Sequence, residues 1–419
     1  MDRILFAGAN VWDASGAAPF EGDVLVEGNR IRAVSRKRGE IPRADCQVIE
    51  AQGRFLMPGL TEGHGHLSFD NFTCTEDLIT PPPEEHTLLT ARVAKRLLDQ
   101  GFTSVWSASE AKLRLAVAVR NEVNAGRLPG PRIRAGSAEI SVTGAMGDES
   151  RLHNPRASPS FIVDGPEEMR KIVRLCCREG CDNIKLDVSG DPFYPGTPAT
   201  TSPMTLEEVR MAVDTAHAYG RRVNAHARSI GSIRTCLEAG VDVLYHCEYT
   251  DEATLDLLEA AKDRIFVAPT VSLLHTMLYE GKPWIPPEVA KAMGIDGLLE
   301  ASKQTHTAMR QRGIRHVIGG DFGFAWSQNG TNARDIGFFV QYFGYTPAAA
   351  LQCATRNGGA LMALGLGDKL GEVKEGYLAD LLLVDGDPLQ DVDLLTKADR
   401  LRVIMKDGQL YKHATGERS

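Results

Sequence analysis

Short apolar strands alternate with helical stretches through the middle of this 419-residue chain. We count eight such units, whose strand segments are LMPGLTEGH, GFTSVWSAS, RIRAGSAEI, CDNIKLDVS, RRVNAHARS, VDVLYHCEY, RIFVAPTVS and IRHVIGGDF. Strands separated by helices favour a parallel sheet covered by helices, and eight is the number that closes a (β/α)8 TIM barrel. A doubly wound open sheet is the alternative, but no G-x-G-x-x-G motif follows the first strand.

The two ends of the chain have a different pattern from the middle. Apolar residues alternate in GDVLVEGN and NRIRAVSR near the start, and in YLADLLLVDGDP and RLRVIMKDGQLYK near the end. Gly, Asn and Asp-Gly turn signals interrupt these runs, as in short strands joined by tight turns. We therefore predict an α/β protein with a small β-sandwich domain formed by both chain termini, residues 1–57 and 371–419. The barrel would occupy residues 58–370.

Charge and composition exclude several classes of partner. The net charge of -8 provides no basic field for a phosphate backbone, so we expect no nucleic-acid partner. The apolar stretch at the amino terminus is far shorter than the ~20 residues that cross a bilayer, which predicts a cytoplasmic protein without a membrane partner. The eight cysteines are scattered, and we expect reduced thiols. A homo-oligomer is compatible with the sequence.

Histidines and one aspartate recur at the ends of the predicted strands. His64 and His66 lie two residues apart in a strand, so their side chains point to the same face. His226, His246 and Asp321 each lie near the carboxyl end of another predicted strand, where barrel enzymes place their active sites. Imidazoles and a carboxylate that converge in this way can bind a divalent metal.

Lys185 lies inside a predicted strand between Ile184 and Leu186. A lysine that faces the barrel interior must be paired, deprotonated or chemically altered. The alternative is a lysine whose amine extends outward to solvent. Because five metal-ligand side chains lie at neighbouring strand ends, we favour an inward amine.

Several segments resemble the amidohydrolase superfamily. LMPGLTEGHGH is similar to its opening signature, and ATRNGGALMALG and GEVKEGYLADLLLVDGDPL are similar to its last helix and its return to the β domain. The resemblance implies a (β/α)8 barrel with a small β-sandwich and one or two divalent metal ions, either zinc or manganese or iron. It also implies a lysine carbamate, formed from carbon dioxide, that bridges two metals. Carried over by position, one metal would be held by His64, His66 and Asp321, the other by His226 and His246, and the bridge by Lys185.

This sequence departs from the family pattern at two places. Glu62 stands where the family usually has aspartate, and ATRNGGAL replaces a commoner Thr-x-Asn-Pro-Ala ending. Neither departure removes a metal ligand. Each could move hydrogen bonds around the ligands and so change metal preference or substrate orientation.

The resemblance to prolidase-like and imidazolonepropionase-like amidohydrolases predicts hydrolysis of a C–N bond in an amide or peptide-like small molecule. Asp321 and His246 are the candidate catalytic residues, and Asp321 would accept a proton from water and pass it to the leaving nitrogen. The alternative is a deaminase that releases ammonia from an aromatic amine such as a nitroanthranilate-type aminobenzoate. A non-catalytic scaffold would be expected to lack a metal ligand, whereas all six positions are filled here.

Candidate substrate contacts follow the same strand ends. Arg228 lies two residues beyond His226 and could bind a substrate carboxylate in bidentate fashion, or pair with a neighbouring acid. Four further residues lie in or near loops that follow strands and could contact the substrate: Tyr194, His153, His275 and Trp326. Taken singly, an aromatic side chain in such a loop more often serves packing.

Overall fold

The computed structural model describes residues 3–194 and 196–414, which form an α/β fold. Its strands are β1 (Arg3–Val11), β2 (Phe20–Glu27), β3 (Arg30–Ser35), β4 (Gln47–Glu50), β5 (Phe55–Pro58), β6 (Leu60–Gly65), β7 (Phe102–Ser107), β8 (Arg132–Arg134), β9 (Gly136–Ser141), β10 (Phe161–Ile162), β11 (Asn183–Asp187), β12 (Arg222–Ala227), β13 (Val243–His246), β14 (Phe266–Ala268), β15 (Leu381–Val384), β16 (Leu401–Lys406) and β17 (Gln409–His413). Its α-helices are α1 (Glu76–Ile79), α2 (Pro83–Asp99), α3 (Leu115–Asn124), α4 (Gly165–Arg178), α5 (Leu206–Ala218), α6 (Ile230–Ala239), α7 (Glu252–Ala260), α8 (Val271–Tyr279), α9 (Pro287–Ala292), α10 (Ile295–Gln311), α11 (Arg334–Phe343), α12 (Pro347–Ala354) and α13 (Arg356–Met362).

Both ends of the chain contribute to one eight-stranded sheet. Its strand order is β17-β16-β15-β5-β1-β2-β3, and β4 also pairs with β1. The two ends meet where β15 runs antiparallel to β5, with Leu382 opposite Met57. All four residues of β15 are buried, which explains why LLLV is a continuous apolar run rather than an alternating one. The β-rich character predicted for both ends is confirmed.

The middle of the chain forms two sheets of parallel strands. One has the order β6-β7-β8 and the other β10-β9-β11-β12-β13-β14. Only Ala135 separates β8 from β9, so one segment pairs with β7 on one side and β11 on the other. On the far side, Gly63 N donates to Ile318 O at 2.9 Å and Val317 N donates to Val267 O at 2.9 Å. These links between the two sheets are consistent with a barrel.

Seven of the eight predicted strand segments contain a strand, but IRHVIGGDF does not. Within it, His316 makes a single parallel bridge with Val267. Gly319 and Gly320 then follow, and Asp321 has a left-handed backbone with φ of 58°. An extended ladder cannot continue through a left-handed residue. The eighth prediction is therefore wrong as a regular strand, although the segment lies between β14 and β6.

Helix caps fix the ends of the strands that carry the candidate site. Helix α6 begins directly after β12, because the Ser229 side chain accepts a hydrogen bond from Ser232 N. Helix α5 begins with a capping box between Thr205 and Glu208. Each helix therefore starts at a defined residue, and Arg228, which lies between the end of β12 and the Ser229 cap, is held in place.

Two further features of the structure concern the state of the cysteines and the length of the helices. All eight cysteines are free thiols, and six of them are buried. Cys176, Cys177 and Cys181 pack within the main hydrophobic core. In the ranges that the structure describes, none of the helices combines the length and the apolar character required to cross a membrane.

Candidate active site

A cavity of about 460 Å³ opens at the carboxyl ends of the parallel strands. This volume falls in the range of small-molecule sites. Its lining includes all six residues predicted as metal ligands, namely His64, His66, Lys185, His226, His246 and Asp321. The five histidine and lysine side chains are nearly inaccessible to solvent, while the Asp321 side chain is 13% exposed.

His64, His66 and Asp321 form a group that could hold a metal ion. Each residue offers one ligand atom, and these atoms lie within 4.8 Å of one another. Asp321 Oδ1 is 3.0 Å from His66 Nε2 and 3.9 Å from His64 Nε2. Two imidazoles and a carboxylate are donors that suit zinc and other first-row divalent metals. The side chains present therefore fit a divalent metal.

Hydrogen bonds show which ring nitrogens of two histidines are free. His66 Nδ1 is 2.9 Å from the Ser109 carbonyl, which can only accept, so Nδ1 carries the proton. The Thr270 hydroxyl donates to Pro269 O and therefore accepts from His246 Nδ1 at 2.6 Å. With Nδ1 engaged in each ring, Nε2 is the atom that each of these histidines can offer to a metal.

His226 and His246 lie beside this group. Their ring centroids are 4.2 Å apart, and that of His246 is 5.4 Å from His64. His226 Nε2 lies 3.1 Å from the Gly190 carbonyl, so Nδ1 is the nitrogen with a free lone pair. The four imidazoles predicted from distant parts of the sequence are brought together.

Lys185 points inward, as predicted, and meets carboxylates. Its Nζ is 3.4 Å from Glu139 Oε1 and 3.7 Å from Asp187 Oδ1. Burial lowers the pKa of Lys185, but the charges of Glu139, Asp187 and Asp321 outweigh burial and raise it above its ordinary value. Neither oxygen of Asp187 accepts a hydrogen bond from the described residues, and burial raises the pKa of this carboxyl. The amine is therefore surrounded by negative charge.

Three residues around the cavity have left-handed backbones. They are His246 (φ 72°), Thr270 (φ 59°) and Asp321 (φ 58°). This region is costly for residues with a Cβ atom and is often found where a side chain must be aimed at a functional site. Strand β13 ends at His246, and the side chains of His246 and Asp321 line the cavity.

Glu62, the first departure from the family pattern, supports His64. It is fully buried, its Oε1 accepts from His64 N at 2.8 Å, and its Oε2 accepts from Asn332 Nδ2 at 2.7 Å. Burial raises the pKa of Glu62 to about 8, and the two hydrogen bonds oppose this effect. Glu62 therefore holds the backbone of a candidate metal ligand.

Arg228 borders the cavity but is already paired. Its Nε donates to Asp191 Oδ2 at 2.9 Å, and its Nη1 contacts Glu248 Oε1. All three side chains are buried. The alternative of pairing with neighbouring acids is therefore realised. Nε and Nη1 belong to the two different edges on which a guanidinium can bind a carboxylate in bidentate fashion, so each edge already has one donor in use.

The other predicted substrate contacts divide into two groups. Tyr194 and Trp326 line the cavity, and the Tyr194 hydroxyl donates to Glu149 Oε1 at 3.1 Å. His153 and His275 are not among the lining residues. His153 lies in an exposed turn, and His275 is held by Tyr342 Oη at 2.6 Å from Nδ1 and by Glu280 Oε1 at 3.2 Å from Nε2.

Sequence reasoning missed several lining residues. The missed aromatic residues are Phe69, Phe72, Phe193 and Phe324, and the missed acids include Glu110 and Glu139. Glu139 lies on β9 and faces Lys185, which strand alternation could have indicated. The phenylalanines lie in loops after β6, after β11 and after Asp321. The only sign of them in the sequence is that each follows a segment that carries a candidate site residue.

Comparisons with known proteins agree with this geometry. The sequence profile of the amidohydrolase family matches residues 55–411. The chain is 27% identical to ochratoxinase from Aspergillus niger over 431 residues, covering 98% of this chain and 86% of the relative. It is 24% identical to imidazolonepropionase from Myxococcus xanthus over 380 residues, covering 87% and 83%. Among solved structures, an Xaa-Pro dipeptidase with bound methionine in the active site superposes with a TM-score of 0.86 at 26% identity, covering 98% of this chain and all of that one.

Proposed function

Because this chain belongs to the amidohydrolase family, we propose that it is a metal-dependent hydrolase that cleaves a C–N bond in an amide or peptide-like small molecule. The observation that carries the proposal is the convergence of His64, His66 and Asp321 at one cavity, with Lys185, His226 and His246 on the same lining. One of its structural neighbours is a dipeptidase, which is consistent with cleavage of a peptide-like bond.

We assign the ligands of the metal from the free nitrogen atoms. His64, His66 and Asp321 would hold one ion, and His226 through Nδ1 and His246 through Nε2 would hold a second. A bound divalent ion would supply Lewis acidity to the scissile carbonyl and to the attacking water. The imidazole-rich donor set suits zinc, and the carboxylates around Lys185 also accommodate manganese or iron.

We propose that Lys185 becomes a carbamate in the active protein. The neutral amine would add to carbon dioxide, forming an N–C bond and releasing a proton. The buried ammonium now balances Glu139 and Asp187. Divalent cations would take over that balance, and an anionic side chain would then be favoured at this place. Labelling with ¹³C-bicarbonate should give a carbamate signal that Lys185→Ala abolishes.

Asp321 is the proposed proton carrier, and His246 is proposed to act beside it. In the reaction, the oxygen of water bonds to the carbonyl carbon, the C–N bond breaks, and a carboxylate and an amine leave. Asp321 is the ligand most open to the cavity, so it can accept the proton of water and pass it to the leaving nitrogen. His246 would contribute as a metal ligand, because Thr270 holds Nδ1 and leaves Nε2 facing the same space.

We also propose that the substrate carries a carboxylate, but the contact that Arg228 offers to it differs from the bidentate one predicted. Because Nε and Nη1 of Arg228 pair with Asp191 and Glu248, we assign the contact to Nη2 alone. A single contact gives less orientation than a bidentate one. A substrate ester in place of the carboxylate should therefore raise KM modestly, by less than about tenfold.

We also propose the domain arrangement that the two parallel sheets favour. The strands of residues 58–370 would close as a (β/α)8 barrel through the Gly63–Ile318 and Val317–Val267 hydrogen bonds. Residues 1–57 and 371–419 would form a small β-sandwich. In support, the apolar cluster of the terminal sheet joins Phe6 and Val24 from the start of the chain to Leu381 and Val403 from its end.

Metal analysis and an Asp321→Asn variant test the proposed activity. We expect the wild-type protein to bind divalent metal and to hydrolyse members of a panel of N-acyl amino acids and dipeptides. Asp321→Asn should lower kcat by about 10²- to 10⁴-fold, because the proton carrier is lost. Circular dichroism should show an unchanged fold.

Aminobenzoates are added to this panel in order to distinguish an amide hydrolase from the alternative, a deaminase. Ammonia release from an aminobenzoate, without cleavage of any amide, would show that the protein is a deaminase and not an amide hydrolase. A wild-type protein that binds no divalent metal, or a variant with undiminished turnover, would contradict the metal-dependent hydrolase altogether.

A further inference from the structure

Five aromatic side chains form one continuous side of the cavity, which we call the aromatic wall. It consists of Phe69, Phe72, Phe193, Phe324 and Trp326. The chain has only 14 phenylalanines and four tryptophans, so four of the former and one of the latter meet here. They come from three separate loops, and such a gathering is not expected from local sequence alone.

The rings of the aromatic wall contact one another in sequence. Ring centroids are 5.1 Å apart for Phe69 and Phe72, 4.3 Å for Phe72 and Phe324, and 5.1 Å for Phe324 and Trp326. Phe193 stacks at 10° on Phe324 with centroids 6.0 Å apart. The rings support each other in tilted and offset arrangements, which aromatic pairs prefer.

The aromatic wall begins at the candidate metal group and ends near solvent. Phe69 stacks on the imidazole of His66 at 7° with centroids 4.4 Å apart. At the other end, Phe193 is 37% exposed although it is a large apolar side chain. A substrate whose reacting bond lies at the metal group would therefore place an adjoining group along the wall.

Polar groups occupy other parts of the lining. Glu139, Asp148, Glu149 and Tyr194 are among them. Trp326 is 8% exposed, and its indole N–H has no acceptor among residues 3–194 and 196–414. Because this nitrogen is enclosed by protein, the wall offers a ligand ring surfaces rather than a hydrogen bond.

We propose that the substrate carries a planar aromatic group next to the scissile C–N bond, and that this group binds against the aromatic wall. The assignment of the scissile bond rests on the proposed function, whereas binding of the ring does not. A saturated ring of similar size buries similar area but lacks the π-system that the wall can contact in offset geometry.

Matched substrates test the preference for an aromatic ring. One pair is the N-benzoyl and N-cyclohexanecarbonyl derivatives of one amino acid, and a second has phenylalanine or cyclohexylalanine as the leaving amine. Because the aromatic contact is worth about 0.5–1.5 kcal/mol, we expect kcat/KM to favour the aromatic member about 2- to 10-fold in at least one pair. A ratio near one, or a preference for the saturated ring, in both pairs would overturn the proposal.

Substitutions in the aromatic wall test whether its rings cause the preference for an aromatic substrate. Phe193→Leu and Phe324→Leu should bring the aromatic-to-saturated ratio close to one. Trp326→Leu should reduce the ratio, and Trp326→Phe should restore most of it because a ring is retained. Tyr219→Leu removes an exposed aromatic side chain that does not line the cavity, so it should leave the ratio unchanged. Equal ratios in wild type and all wall variants would contradict the assignment.

Calorimetry separates this inference from the proposed function. Benzamide and cyclohexanecarboxamide are titrated into the metal-loaded protein, where no turnover is needed. Tighter binding of benzamide without hydrolysis of any amide would support the wall and refute the hydrolase. Hydrolysis of amides with equal binding of the two probes, and equal turnover of the matched substrates, would refute the wall and leave the hydrolase.

Discussion

Gly319 has no room for a side chain because it lies against a candidate metal ligand. A Cβ atom on Gly319 would be 2.7 Å from both the Cβ and the backbone N of His64. Neither atom can move without moving the imidazole. We expect Gly319→Ala to lower the free energy of unfolding by about 1–3 kcal/mol and kcat/KM by about 10²-fold or more. Urea unfolding and steady-state kinetics measure the two effects.

Gly297→Ala is the matched control for Gly319→Ala. Gly297 lies in α10, and a Cβ atom there would meet nothing within 4 Å. Alanine should stabilise the helix by about 0.5–1 kcal/mol and leave kcat/KM unchanged. Our reading of Gly319 would be wrong if the two substitutions had the same effect on activity.

At the level of single residues, the sequence was informative about ligands and less so about their partners. The spacing of His64 and His66 and the strand-end position of Asp321 predicted a group that meets in the structure. The sequence could not show which acids pair with Arg228, because Asp191 and Glu248 lie 37 and 20 residues away and follow other strands. Long-range ion pairs leave no periodic signal along the chain.

At the level of elements, the segment that leads into α11 supports the site from behind. Asn329 donates to His66 O at 3.2 Å and to Phe69 O at 2.8 Å, and Asn332 donates to Glu62 Oε2 at 2.7 Å. Asp335 accepts from Gly319 N at 2.9 Å and from Ser272 Oγ at 2.5 Å. These three side chains recur every three residues, and each reaches a different segment near the candidate metal ligands.

Asp335 predicts a measurable dependence of stability on pH. Burial raises its pKa from 3.8 to about 6, against the hydrogen bonds from Ser272 and Gly319. The folded protein therefore binds this proton more tightly than the unfolded chain, so its contribution is complete below pH 3.8 and is lost as pH rises through 6. Between about pH 4 and 6, the free energy of unfolding of wild type should fall by about 2 kcal/mol relative to Asp335→Asn.

Denaturant unfolding at several pH values checks this difference. Asparagine can replace the aspartate without a clash, because its carbonyl can accept from Gly319 N while its amide donates to Ser272 Oγ. Asp214→Asn, which changes an exposed aspartate on α5, should show no such pH-dependent difference from wild type. A difference between wild type and Asp335→Asn that stays constant across the window would refute the shifted pKa.

The elements also show where sequence patterns fail. Strands such as β11 and β12 were predicted because short apolar runs alternate there with helical stretches. The eighth segment has the same apolar pattern, yet only one bridge forms there. Its hydrogen bonds are interrupted by Gly319, Gly320 and the left-handed Asp321, and composition cannot distinguish such a kink from a strand end. The four phenylalanines of the aromatic wall were missed because loops have no periodicity.

At the scale of the whole molecule, the terminal sheet and the parallel strands share a core. Phe55, Leu382 and Leu401 from the terminal sheet belong to the same apolar cluster as Val105 and Ile133 from the parallel strands. The sequence predicted two β-rich ends but could not show this shared burial. Because the two parts bury a common surface, we expect them to unfold in one cooperative transition.

A buried ion pair joins the same two parts. Arg132 Nη2, at the start of β8, is 3.4 Å from Asp380 Oδ1 and also contacts Asp407. The Asp380 side chain is only 1% exposed, and one of its oxygens already lacks a hydrogen-bond partner within the described residues. Arg132→Leu would leave this carboxylate buried without a cation. We expect the free energy of unfolding to fall by about 3 kcal/mol, because uncompensated buried charge is costly.

Arg127→Leu is the control for this pair, since Arg127 and Glu122 are 64% and 42% exposed. It should destabilise the protein far less than Arg132→Leu does, because both members of the pair are exposed to solvent. Arg132 lies at the amino end of its strand, away from the cavity, so Arg132→Leu should leave KM unchanged at temperatures where it is folded. Because the core is shared, the loss should shift one unfolding transition as a whole. Two separate transitions, with only one displaced, would instead show that the terminal sheet is an independent folding unit.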